Sequence, residues 1–269
     1  MKSKSGKNRR KSIILNVLIV LCVLALAYSA YSLISYYLAG QEAESAYDKL
    51  RYEPSGEAAE DGGDGDYPLR LPHYKELYSQ NSDFIGWLRV YDMRIDYPVM
   101  QTPEEQDYYL HRGFDKKYSS FGCVFASAQC DVDKPSDVIT LYGHKMKNGS
   151  MFGTLSDLEK KDFYDKHKYI QFDTLKERSS YLIVCVFKSA VDTGGPNEFK
   201  YYNYIDFANQ AAFDDFMSQA KERQVFETGE KVQFGDKLIM LSTCEYSTRN
   251  GRLIVIGKEI PNARAPAFP

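Results

Sequence analysis

From residue 85 onward the chain alternates short apolar runs with polar, turn-rich stretches. Runs at 85–90, 95–101, 123–128, 138–144, 169–174, 181–191, 237–244 and 252–260 are rich in β-branched and aromatic residues, and they predict eight strands. Eight short strands predict a mainly β fold, an eight-stranded barrel closed or nearly closed on itself. Helical spacing at 73–79, 104–111, 151–166 and 205–223 predicts helices added to that barrel. No repeat is present outside the linker described below.

The N-terminal pattern is different. No charged side chain occurs from Ser12 to Gln41, and residues 13–38 at about 1.5 Å per residue exceed a hydrocarbon thickness of roughly 30 Å. This predicts a transmembrane helix at 12–41. Lys2, Lys4, Lys7, Arg9, Arg10 and Lys11 precede it, and no comparable cluster follows. The positive-inside bias therefore predicts a cytoplasmic arm at 1–11, a single pass through the cell membrane, and an extracytoplasmic remainder. Tyr28, Tyr31, Tyr36 and Tyr37 crowd the outer half as interfacial aromatics do. The rival reading is a cleaved signal peptide ending near Ala25-Leu26-Ala27, but apolar cores of signal peptides are shorter, about 7 to 15 residues.

Charge and composition refine the rest. The 34 basic and 37 acidic residues look balanced until the basic arm is set aside, after which acids clearly dominate. An acidic ectodomain without a basic stripe argues against nucleic acid as a partner. Residues 42–70 form a polar, acidic stalk containing Pro54-Ser55-Gly56 and six Asp and Gly residues at 61–66. Its aspartates lack the alternation and closing glutamate of a calcium loop, so no metal is expected there. An apolar fraction of 43% with 14% aromatics is ample for one sizeable core at 71–269. Cys123, Cys130 and Cys185 read as free thiols. A Cys123–Cys130 bridge stays open in an extracytoplasmic compartment.

Two strand ends carry candidate chemistry. The run Leu238-Ile239-Met240-Leu241-Ser242-Thr243 ends in Cys244, and after seven residues Arg252 begins the next apolar run. So short a connection predicts antiparallel neighbours, which places Cys244 and Arg252 at one rim. A cation there favours the nucleophilic thiolate of a group whose ordinary pKa is about 8.5. The bland readings are a packed cysteine and a surface arginine. The run Ile139-Thr140-Leu141-Tyr142-Gly143 likewise ends in His144, the one histidine of four that terminates a core strand. His73, His111 and His167 fall in amphipathic or charged stretches and read as exposed bystanders. An imidazole titrating near neutrality can serve both proton transfers of an acyl exchange between amines.

Leu241-Ser242-Thr243-Cys244 with an arginine soon after it, and Tyr142-Gly143-His144 about a hundred residues upstream, resemble the sortase family. Asn81-Ser82-Asp83-Phe84-Ile85-Gly86-Trp87-Leu88 and Ile95-Asp96-Tyr97-Pro98-Val99 are similar to blocks of class B sortases, so the likeness runs from about Leu71 to Ile260. The resemblance implies a sortase-type barrel as the catalytic domain at 71–269, and a thioacyl enzyme formed on a C-terminal sorting signal and resolved by a cell-wall amine. It implies Cys244 as nucleophile, His144 as general acid and base, and Arg252 as oxyanion or substrate donor, with Arg249 as a conceivable substitute. It further implies substrate contacts from Leu110, Gln106, Ser242, Thr243, Tyr204 and Ile205, with Gln106 standing where the family has asparagine. The long helix of class B before the last two strands is expected at 205–223. Neither metal nor other cofactor is implied.

Three rivals remain on residue grounds. An L,D-transpeptidase-like acyltransferase would show histidine and glycine directly before the cysteine, where this chain has Ser242-Thr243. A papain-like protease would place its cysteine before its histidine. A membrane-tethered binding barrel would use both residues structurally.

Overall fold

The computed structural model describes residues 4–52, 67–191, 194–195, 198–245, 250–262 and 265–266. Contacts divide the chain into two compact units, 1–43 and 44–269. Most of the first unit is one helix, α1 (Lys4–Asp48), which is exposed all round from Ile13 to Ile34. Among the described residues it is the one helix long and apolar enough to cross a membrane. The aspartate-rich tract at 61–66 lies outside the described residues.

The second unit is a closed barrel. Its strands are β1 (Phe84–Val90), β2 (Asp96–Met100), β3 (Val124–Ala126), β4 (Val138–Tyr142), β5 (Tyr169–Thr174), β6 (Arg178–Ala190), β7 (Leu238–Glu245) and β8 (Gly251–Ile260). They follow one another around the barrel as β1-β2-β3-β4-β7-β8-β6-β5. The β2/β3 and β4/β7 pairs are parallel and the others antiparallel. Closure leaves no unpaired edge.

Alternation along β7 separates two environments. Ile239 points inward, where a side chain at Gly257 would meet it together with Ile170 and Tyr181 from two other strands. Leu238 and Met240 point outward into a second core. That core is completed by α4 (Gln210–Glu222), which buries Phe213, Phe216, Met217 and Ala220 at helical spacing. Asn209 caps the helix by accepting the Ala212 amide at 3.0 Å. Helix α2 (Tyr67–Gln80) precedes β1, and α3 is the single turn Lys161–Tyr164.

A buried ionic cluster closes the barrel away from the β7/β8 turn. Asp173 on β5 is fully buried and accepts from Arg89 at 2.9 Å, Arg178 at 3.0 Å, Tyr74 at 2.9 Å and Gln171 at 2.8 Å. Arg178 is paired with Asp173 in the β5/β6 ladder, and Tyr74 brings α2 into the same cluster.

The helical expectations differ in detail. The stretch 104–111 forms only a short 3-10 turn, Tyr108–His111, because Pro103 lacks an amide hydrogen and the Gln106 side chain is engaged with the Ala128 amide. The stretch 151–166 divides into a 3-10 helix Gly153–Glu159 and α3. Lys160 between them is extended (φ −94, ψ 121), and Gly153 lies so close to the Met146 carbonyl that a Cβ would sit 2.6 Å from it. At 205–223 the helix begins only after Asn209, since the Ile205 carbonyl is used by the Val138 amide. Nor is the segment 42–70 free chain throughout. Tyr47 is buried, packs edge-on against Tyr97 and donates to the Gly122 carbonyl, while Arg51 pairs with Asp96 at 3.0 Å.

Candidate active site

The strand order places three strand ends side by side. Strand β4 runs parallel to β7 with Tyr142 opposite Ser242, and β8 runs antiparallel to β7 with Arg252 opposite Cys244. Two bonds extend the β4/β7 pairing past the ladder. The Gly143 amide donates to the Ser242 carbonyl at 3.3 Å, and Thr243 Oγ1 donates to the Gly143 carbonyl at 2.7 Å. His144, Cys244 and Arg252 therefore lie abreast on three adjacent strands spaced by about 4.8 Å.

They also share a face. Side chains directly opposite in an antiparallel pair, or at equal height in a parallel one, point the same way. For this row the way is outward, because Ser242 Oγ two residues before Cys244 bonds the hydroxyl of Tyr201 at 2.8 Å, and Tyr201 belongs to the α4-side core. Ser242 and Thr243 are buried, whereas Cys244 and Arg252 are partly exposed at the rim. The Arg252 guanidinium donates to the Gly251 carbonyl at 3.0 Å.

His144 is held from the other side. Its Nε2 lies 2.7 Å from the Leu110 carbonyl, and a carbonyl only accepts, so Nε2 carries the hydrogen and Nδ1 is the nitrogen of the neutral ring that can take a proton. Burial pushes the His144 pKa below its ordinary value, the Leu110 carbonyl opposes this, and the charge of His111 adds to the lowering. Gly143 lets the strand turn here, since a Cβ would stand 2.8 Å from the ring of Phe152, whose amide bonds the His144 carbonyl at 2.9 Å.

Of the residues expected to touch substrate, Ser242, Thr243 and Leu110 gather at this rim. Gln106 does not. Its Oε1 accepts the Ala128 amide at 2.6 Å, beyond the end of β3, and its buried Nε2 has no partner among the described residues. Tyr204 packs on Phe216 at 4.9 Å and donates to Asp215 at 3.2 Å, while Ile205 bonds Val138 at the end of β4 opposite His144. Arg249 lies outside the described residues. All five cysteines are free, and among the described residues no three His, Cys, Asp or Glu side chains are grouped to hold a metal.

Two residues at the rim escape a reading of the sequence. Tyr201 feels both the charge of Arg252 and that of Cys244, which places its hydroxyl beneath the row, although burial dominates and pushes its pKa up. Its signal in the sequence is nil, since it is one tyrosine among several at 201–204. His111 packs against His144 with ring centroids 5.5 Å apart and planes tilted by 32°, and only its position next to Leu110 hints at this.

The chain's relatives share this architecture. A family model described as the sortase domain matches residues 88–260. Sortase B of Listeria monocytogenes is 30% identical over 186 residues, covering 68% of this chain and 72% of the relative. Sortase B of Staphylococcus aureus is 26% identical over 258 residues, covering 91% and 96%. A solved Staphylococcus aureus sortase B-substrate complex has the same fold, with a TM-score of 0.69 at 24% identity, covering 83% of this chain and 99% of that one. The chain thus belongs to the sortase family, and it is a cysteine transpeptidase. Within the family its relatives are class B sortases.

Proposed function

We propose that this transpeptidase cleaves the C-terminal sorting signal of secreted surface proteins and transfers them to an amine of a cell-wall precursor. Cys244 sulfur attacks the carbonyl carbon of the scissile bond, forming a tetrahedral oxyanion that the Arg252 guanidinium stabilises. The carbon–nitrogen bond then breaks, the leaving amine takes a proton from His144, and a thioacyl enzyme remains. An acceptor amine attacks the thioester carbonyl and gives its proton back to His144, and the carbon–sulfur bond breaks to release the thiolate. Ser242, Thr243 and Leu110 line the groove for the signal peptide. The observation that carries this reading is the register that sets Arg252 opposite Cys244 with His144 abreast on the parallel neighbour.

The protonation states support the sequence of steps. With its pKa held below the ordinary 6.5, His144 is largely neutral at pH 7 and able to accept the thiol proton. The Staphylococcus aureus protein of the same fold is held with a substrate, which supports a substrate groove on this barrel too. The apolar helix with its basic N-terminal arm supports a single-pass anchor, N-terminus in the cytoplasm, with the segment before residue 71 as a spacer between membrane and barrel.

The test is cleavage of a fluorescence-quenched sorting-signal peptide by the full chain in detergent, with and without a small amine. Cleavage with transfer is expected. Cys244→Ala should abolish it, and Arg252→Ala should lower kcat by roughly a hundredfold to a thousandfold, the usual cost of removing an oxyanion donor. Normal turnover in either variant overturns the role given to that residue.

A further inference from the structure

We propose that His111 is a positioning residue for His144: its imidazole packs against that of His144 and sets the pH at which the latter exchanges protons. The inference rests on the acid–base role proposed for His144. His111 ends the 3-10 turn Tyr108–His111, and the carbonyl just before it, that of Leu110, orients the His144 ring through Nε2. One short segment thus fixes His144 twice, by a hydrogen bond at 2.7 Å and by a ring contact at 5.5 Å with planes tilted 32°.

His111 is itself exposed and steadied from its outer side, where Tyr118 stacks on it at 6.4 Å and the Ser119 amide donates to its carbonyl at 3.0 Å. The His111 imidazole is thus open to water on one side and in contact with His144 on the other. When it is protonated, a positive charge stands 5.5 Å from the His144 ring and opposes a second one there.

Among the described residues, the other charged or titratable groups about the pair are few. Tyr108 and Arg112 flank His111 on its own segment, and they are engaged with each other, the guanidinium lying 4.1 Å from the ring centroid of Tyr108. Lys145 follows His144, and its backbone pairs with Met151. Cys244 and Arg252 stand on the next two strands, and Tyr118 closes the outer side. Burial lowers the His144 pKa, and His111 is the charge that lowers it further.

The expected size follows from Coulomb's law. Two unit charges about 5.5 Å apart in a water-like dielectric shift a midpoint by about half a pH unit. A neutral glutamine at 111 should raise the His144 midpoint by about that much, and a lysine, permanently charged there, should lower it.

The experiment has two readouts in the full chain in detergent. In a Cys244→Ala background, ring-carbon NMR of labelled histidine follows His144 with His111, His111→Gln and His111→Lys. In the Cys244 enzyme the same substitutions are followed in the acid limb of the kcat/KM profile. Opposite movements of the His144 midpoint in the two variants, with the acid limb moving alongside, are expected. A midpoint that stays put in both variants overturns the proposal. Midpoints that move while the acid limb does not sustain the pairing of the two rings and overturn the acid–base role of His144 instead.

Discussion

Thr243 Oγ1 donates to the Gly143 carbonyl at 2.7 Å, so the residue before the thiol is tied to the residue before the imidazole. This bond lies past the last ladder pair of β4 and β7 and holds the strand ends in register where the row forms. Thr243→Val keeps the shape and removes the donor. We expect a stability loss of about 1 kcal/mol. The larger effect should be on rate, with kcat lowered by roughly tenfold to a hundredfold as the proposed nucleophile and proton carrier lose alignment. An unchanged kcat in steady-state peptide cleavage would mean that the register is held by other contacts.

Gly143 is required for space. A methyl group at this position would lie 2.8 Å from two ring atoms of Phe152. Since the Phe152 amide bonds the His144 carbonyl, displacement of that ring also displaces the histidine. Gly143→Ala should destabilise the fold by about 1–3 kcal/mol, as overpacking usually does, and lower activity with it. Adding Phe152→Leu should restore part of both, read as the urea midpoint and kcat of the double variant against the single one.

The low pKa of His144 links stability to pH. The folded state holds this imidazole less protonated than the unfolded chain does, so the unfolded state binds more protons as pH falls. The contribution is complete above the ordinary histidine pKa of about 6.5 and is lost as pH drops from there toward the lowered folded value. His144→Gln removes this linkage. Between pH 7.5 and 5 the variant's urea midpoint should therefore fall less than that of the wild type. Parallel curves for the two proteins would show that protonation of His144 does not oppose folding.

Asp173 offers a stability test apart from the row. Its fully buried carboxylate answers the guanidinium groups of Arg89 and Arg178. Asp173→Asn removes the buried negative charge that both guanidinium groups bond, at a cost of about 3–5 kcal/mol. Because Asp173 sits by the β5/β6 turn and the row by the β7/β8 turn, kcat per folded molecule should stay near wild type. Urea titration and active-site counting separate the two quantities.

The strands and the Cys244–Arg252 pairing are legible in the sequence because both depend on local signals, period-two apolar runs and a short connection between the last two. The place of His144 beside Cys244 needs a parallel β4/β7 pair. Residues 138–144 and 237–244 are about a hundred positions apart, so no local pattern specifies their register. The helices were less legible. Apolar spacing at 104–111 and 151–166 suits a helix, but side-chain bonds from Gln106 and close backbone approach at Gly153 favour shorter turns. His111 reads as a solvent-facing histidine, and it is exposed. Only tertiary folding of the 3-10 turn onto the end of β4 sets it against His144. Tyr47 and Arg51 look like polar chain for the same reason, since their partners Tyr97, Asp96 and Gly122 are 45 to 75 residues downstream.

The most direct test of the central claim is mass spectrometry of the full chain mixed with sorting-signal peptide in the absence of amine. The account requires an acyl adduct on the peptide containing Cys244, which disappears when an amine is added and the transferred product forms. Peptide cleavage by Cys244→Ala, or an adduct on any other residue, would contradict it.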